Sequence, residues 1–334
     1  MMSTMQPSRT FALIVLAILL LTSGSTLADD KVPGKILFEN VYFPQLIESG
    51  QKVAYFKAII KDSTSISRLC IGDLKTGKET ILFKDIDFNI DKTQAFCITP
   101  DNKYAALVDK RLTMCDIWLH DLSDEYAEPI RVTNLEKFDP GYSADDVMAM
   151  GMNPKNVLDV RQLDISPDGK KYAYTFGVLG KSAVWMYEID RDHYRQMTPD
   201  RQGYLPKWFP DSERFVYVKG DSLSGVWSED MFIMDVRTNK STPLVASEKS
   251  EGWATPSRDG KYVAYLENSE GVWNPCVVRV SDGKTIRLVT LPFGKSCGSA
   301  IWSGDGTSVY VVMSGFDEAF SYLVELPFDS KMLD

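Results

Sequence analysis

Histidine is almost missing from this chain: His120 and His193 are the only two in 334 residues. So few cannot easily supply a multi-histidine metal centre or a histidine-dependent hydrolase. Positive charge is also short, with 37 Lys and Arg against 46 Asp and Glu and a net charge of −9. Neither nucleic acid nor an anionic membrane surface gains affinity from such a chain. The five cysteines, Cys70, Cys97, Cys115, Cys276 and Cys297, include no Cys-x-x-Cys, which removes zinc ribbons and thioredoxin-like redox motifs. A nucleophile elbow needs a strand-to-helix turn that an all-β chain lacks, and Gly141-Tyr142-Ser143-Ala144-Asp145 breaks the Gly-x-Ser-x-Gly pattern at its last position. The longest apolar run, Phe11 to Leu21, falls well short of the roughly 20 residues that span a bilayer.

That run has a different use. Arg9 precedes it and Thr26-Leu27-Ala28 follows, the basic start, apolar middle and small-residue end of a secretory signal peptide. The sequence therefore predicts a signal over 1–28, cleavage after Ala28, and a mature chain from residue 29 that is periplasmic or extracellular with no membrane insertion.

What the chain does have is a repeat. A hairpin-turn signature recurs at Asp101, Asp168, Asp211, Asp259 and Asp305, with a degenerate copy at Ser49, in steps of 52, 67, 43, 48 and 46 residues. Four residues after each anchor stand Val53, Ala105, Tyr172, Phe215, Val263 and Val309, and six after stand Tyr55, Leu107, Tyr174, Tyr217, Tyr265 and Val311. That is strand periodicity, and Asp-Gly, Asp-Asn or Asp-Ser at the anchor is tight-turn chemistry. A third strand follows in each copy and a short fourth in the first five. Six copies of four strands predict an all-β, six-bladed β-propeller of antiparallel blades. The last copy lacks its fourth strand, and Lys35-Ile36-Leu37-Phe38-Glu39 is predicted to supply it by pairing with residues 321–326. The long second step holds an insertion over 137–155, before blade three.

Pro206-x-Trp208-x-Pro210-Asp211, Ser166-Pro167-Asp168-Gly169 and Ile301-Trp302-Ser303-Gly304-Asp305-Gly306 resemble the TolB-like family of propeller repeats, over about residues 35–330. The resemblance implies an exported, six-bladed, non-enzymatic binding platform. The pattern departs from TolB itself in having only Asp29 to Gly34 between signal and propeller, where TolB carries an α/β domain. Similar repeats form the gating propellers of prolyl oligopeptidase and dipeptidyl peptidase IV.

Other motifs weigh little. Gly220-Asp221-Ser222-Leu223 with Asp190 and His193 imitates a GDSL hydrolase in reversed order, and Asp164 to Gly169 starts like a calcium loop but has Thr175 where a glutamate belongs. The reading is a monomer without cofactor or metal, binding a protein or peptide partner through an aromatic loop face. Trp227, Trp273, Tyr142, Met150, Tyr204, Trp253 and Phe293 are its candidate binding residues, with Tyr204, Trp253 and Phe293 placed on inter-blade loops and Phe316 and Phe320 added from the last copy. The alternative is a propeller enzyme, a hydrolase or lyase on a carbohydrate or lactone, acting in the central channel. Cysteine pairs 70–97 and 276–297 would join adjacent blades and leave Cys115 free.

Overall fold

The computed structural model describes residues 31–61, 64–84, 96–109, 116–134, 159–178, 181–199, 202–221, 228–316 and 321–334. The signal segment, the insertion over 137–155 and Cys115 lie outside them. Strands are numbered in chain order, starting with β1 (Lys35–Glu39). Blade one follows as β2 (Val41–Ile47), β3 (Lys52–Lys61), β4 (Thr64–Asp73) and β5 (Glu79–Leu82), and blade two as β6 (Phe96–Ile98), β7 (Tyr104–Asp109), β8 (Asp116–Asp121) and β9 (Ile130–Arg131). Blade three is β10 (Asp159–Ile165), β11 (Lys171–Val178), β12 (Lys181–Glu188) and β13 (His193–Gln196). Blade four is β14 (Gly203–Trp208), β15 (Arg214–Asp221), β16 (Ser228–Asp235) and β17 (Lys240–Val245). Blade five is β18 (Ser250–Pro256), β19 (Tyr262–Ser269), β20 (Val272–Arg279) and β21 (Thr285–Arg287). Blade six joins β22 (Ser296–Trp302), β23 (Ser308–Ser314) and β24 (Tyr322–Pro327) to β1 from the other end of the chain.

Each blade is an antiparallel four-stranded sheet, and the innermost strands touch in the cyclic order β2, β6, β10, β14, β18, β22 and back to β2. The ring is closed as the sequence predicts. β1 pairs with β24 through Lys35 with Glu325, Ile36 with Val324, Phe38 with Leu323 and Glu39 with Tyr322. Only Phe38 of the three apolar residues in β1 is buried, 5.6 Å from the Tyr55 ring, while Ile36 stays exposed.

Among the described residues the core forms six clusters, one in each seam between neighbouring blades. The seam between blades three and four, for example, packs Ala173, Val184 and Met186 against Trp208, Phe215 and Tyr217. Because a blade is covered on both faces, both side-chain sets of its second strand are buried, which is why the repeat keeps an apolar residue at successive positions.

The same alternation overturns the cysteine pairs. Cys70 faces the seam of blades six and one, whereas Cys97 faces that of blades two and three. Cys276 likewise faces blade four and Cys297 lies in the seam of blades five and six. All four are free and buried. Burial pushes the Cys70 and Cys276 thiols up to about 12.

The turns follow from local chemistry. In four copies a Ser or Thr stands two residues before the anchoring Asp, as in Ser166-Pro167-Asp168. Its hydroxyl donates to the Asp carboxylate, and the same oxygen accepts the backbone N–H five residues on, as from Lys171 at 2.9 Å. The residue that follows the anchor is Gly169, Gly260, Gly306 or Asn102, all at positive φ, where a tight turn requires it.

Candidate functional site

The turns from first to second strand in every blade, and from third to fourth strand in the first five, lie at one end of the ring. The other connections lie at the opposite end, here called the loop end. The inner strands run from the loop end to the turn end around a central cavity.

The backbone of those inner strands is not regular. β2, β10, β14, β18 and β22 each carry one extra residue relative to the strand beside them, a bulge at nearly the same height in five blades. In four of them a residue six before the turn anchor takes a left-handed conformation: Phe43 (φ 50), Gln162 (φ 52), Leu205 (φ 55) and Trp253 (φ 56). L-residues of this bulk avoid that region at a cost of about 1–2 kcal/mol each. The same strain recurs around one cavity. The bulge turns Phe43, Gln162, Leu205 and Trp253 onto the cavity wall, where Ser299 occupies the matching position of blade six.

Phe43 and Trp253, from blades one and five, meet as near-parallel rings with centroids 6.5 Å apart and planes 27° from parallel. The remaining wall is mostly apolar, from Pro44, Leu163, Pro206 and Ile301. Its one described cation is Lys207, which donates to Asp164 Oδ1 at 3.0 Å, while the other carboxylate oxygen accepts from Trp208 N at 2.9 Å. The calcium-loop reading of Asp164 gives way to this structural bridge between blades three and four. Asp168 is committed to its own turn through Ser166 and Lys170.

The predicted aromatic residues are sorted by the structure. Tyr204 and Trp253 belong to inner strands, not to inter-blade loops, because those strands begin earlier than the turn spacing suggests. Tyr204 is half-buried and its hydroxyl donates to Glu229 Oε1. It pairs in register with Val218, and an added Cβ on Gly252 would sit 4.0 Å from Val218 and 3.9 Å from the Trp273 ring. Tyr204 packs at the seam of blades four and five and Trp273 at that of blades five and six, on either side of Gly252, with Trp253 next in chain. Trp273 itself opens β20, half-buried, opposite Asn268. Phe293 is 90% exposed between Pro292 and Gly294. Phe316 is buried in the seam of blades five and six. Trp227, Tyr142, Met150 and Phe320 lie outside the described residues, as does Ser222.

Neither histidine stands on the cavity wall. His120 is buried edge-on to Phe83, their ring centroids 5.6 Å apart, and His193 is exposed on the outer strand β13. Among the described residues no group of three or more His, Cys, Asp or Glu is placed to hold a metal ion. Sequence reasoning missed Phe43, Gln162, Lys207 and Ser299. Counting six residues back from each turn anchor would have found all of them but Lys207.

Next to Gly252 lies Glu251, fully buried at the loop end. Its Oε1 accepts from the Ser247 hydroxyl, and Oε2 has no hydrogen-bond partner among the described residues. Burial pushes its carboxyl up to about 7, the nearby Asp230 and Glu267 add to the rise, and the Ser247 bond and Lys249 oppose it.

No protein family profile matches the sequence. An uncharacterized protein of Agrobacterium fabrum is 30% identical over 129 residues, 38% of this chain and 42% of that protein. The uncharacterized peptidase YuxL of Bacillus subtilis is 29% identical over 112 residues, 33% of this chain and 17% of its own length. The chain thus spans less than half the length of these curated relatives. Among solved structures, TolB from Acinetobacter baumannii superposes with a TM-score of 0.58 at 18% identity, over 84% of this chain and 64% of that one. A putative TolB from Agrobacterium tumefaciens gives 0.55 at 20% identity, over 78% and 92%. An oligogalacturonate lyase in complex with manganese gives 0.53 at 11% identity, over 86% and 77%. The chain has a TolB-like six-bladed propeller fold, and proteins of more than one function share it.

Proposed function

We propose that this TolB-like propeller is an exported, non-enzymatic platform that binds a protein or peptide partner at the loop end of the ring. The half-buried Tyr204, Trp253 and Trp273, grouped about Gly252, carry the reading. These half-buried aromatic side chains come from two adjacent blades, and aromatic residues that keep a face to solvent are the type that dominates binding energetics. No helix among the described residues is long and apolar enough to cross a membrane.

The test compares capture of envelope proteins by the wild-type chain and by Trp273→Ala. The variant should lose a specific partner, weakening its binding by about 2 kcal/mol or more, while its melting temperature falls by a few degrees at most. An unchanged capture profile, or a melting temperature that collapses, makes Trp273 a packing residue and removes the reading. A channel enzyme is the competing function, and one tightly bound metal per chain together with turnover of an oligosaccharide or lactone would favour it.

A further inference from the structure

The cavity wall holds polar atoms for which the fold has no use. Gln162 Oε1 accepts from Thr175 Oγ1 at 2.7 Å and from Leu205 N at 3.2 Å, so its acceptor is occupied and its amide donors are not. Lys207 has three N–H donors, and Asp164 takes one of them. Ser299 Oγ is buried with no hydrogen-bond partner among the described residues. A buried hydroxyl left in that state costs free energy unless something else satisfies it. These three residues come from blades three, four and six and line one cavity. Each can donate, and Asp164, the carboxylate that orients Lys207, is absent from the wall.

The same cavity carries an aromatic pair. Phe43 and Trp253, with centroids 6.5 Å apart, lie within the range of a directly packed pair, and both line the cavity beside the three donors. A pair of this kind takes a further ring against its free faces and edges.

We propose that the central cavity binds an aromatic carboxylate, its ring packed against the Phe43 and Trp253 pair and its carboxylate taking donors from Lys207, Gln162 and Ser299. This rests on the binding reading above and names the group that enters the ring. The chemistry has two sources: a free aromatic acid, or the C-terminal aromatic residue of a peptide.

The test is a calorimetric titration of the full chain with N-acetylphenylalanine, its carboxamide and acetate. The acid should bind saturably, the carboxamide at least tenfold more weakly, and acetate not measurably. Lys207→Gln combined with Asp164→Asn, which leaves no unpaired carboxylate, should remove the preference for acid over carboxamide, with circular dichroism confirming the fold. Trp253→Phe should keep the preference. A short peptide ending in free phenylalanine that binds more tightly than the acid identifies a peptide terminus as the source. A peptide that binds more weakly identifies the free acid. Absence of saturable binding at millimolar acid, equal binding of acid and carboxamide, or a preference that survives the double variant overturns the proposal. Trp273 is not on the cavity wall, so loss of partner capture in Trp273→Ala would stand even if the cavity proposal failed.

Discussion

The two ends of the ring are made from the same six blades and are built on opposite plans. At the turn end one solution is repeated, with a hydroxyl clasping an anchoring aspartate in four copies, and turns of neighbouring blades lean on one another at four joins. Glu48 N donates to Asn102 Oδ1 at 3.1 Å, Asp168 N donates to Ser212 Oγ at 3.0 Å, and Gly260 lies against Pro210. Gly50 and Gly304 approach so closely that a Cβ on Gly304 would sit 2.8 Å from Gly50 Cα and from Ser49 O. Arg258 reaches from blade five to Ser49 O of blade one at 3.4 Å. At the loop end the described residues change from blade to blade: Tyr204 on one, Glu251 and Trp273 on the next, Phe293 on the approach to the last. Repetition holds the ring together, and departures from the repeat give one end a chemistry of its own.

That contrast can be broken first at the closure, where both ends depend on one strand. Phe38 is buried against Tyr55 and above Gly72, across the join of blades six and one. Phe38→Ala should lower stability by about 3–5 kcal/mol in denaturant titration. A loss under about 1 kcal/mol would mean that the backbone pairing of β1 with β24 closes the ring without help from this side chain.

The loop end tolerates a defect that the turn end does not have, and pH exposes it. The folded state holds the Glu251 proton more tightly than the unfolded chain does, its carboxyl sitting near 7 in place of 4.5. Stability from this group is complete below about 4.5, falls as pH rises from about 4.5 to about 7, and is flat above, a loss of about 3 kcal/mol in all. Asp230 of blade four and Glu267 of β19 face it with negative charge, and Lys249 supplies the positive charge. Glu251→Gln should remove the slope. Parallel stability curves for wild type and variant over pH 4.5–8 would show that Glu251 does not titrate in this range.

Sequence legibility divides along the same line. The turn end was readable because its determinants are local: a Ser or Thr, an Asp and a Gly within four residues specify the clasp, and the strand rhythm on either side sets the register. Closure by residues 35–39 was readable because the last copy lacked a strand. The cysteine pairing failed because strand position was counted without the face, and one step of alternation sends Cys70 and Cys97 into different seams. Tyr204 and Trp253 were found by residue type but placed on loops, since a bulge adds a residue without changing composition. Phe43, Gln162 and Ser299 were missed because only a register counted back from each turn brings five distant residues to one cavity.

A smaller effect tests whether the turn end is as tight as it looks. Gly304→Ala should cost about 1–3 kcal/mol, through overpacking against the Gly50 backbone. Its own φ is not in the left-handed region, so crowding is the whole cause. A neutral substitution would show that the join between blades six and one has room to relax.

The smallest stability effect should come from the most exposed aromatic of the loop end. Phe293 projects between Pro292 and Gly294, 90% exposed, while Lys295 beside it donates to Gly315 O at 2.5 Å and lies 5.0 Å from the Phe316 ring. The loop is thus fixed by Lys295 and the buried Phe316, not by Phe293. Phe293→Ala should change stability by less than about 0.5 kcal/mol. If the loop end is a binding face that extends over blade six, the same substitution should weaken partner capture by about 1 kcal/mol or more. If the face is confined to blades four and five, capture will be unchanged while Trp273→Ala still abolishes it. The pair of measurements therefore sets the width of the binding surface, and a melting temperature lowered by Phe293→Ala would show that this loop packs more closely than its exposure implies.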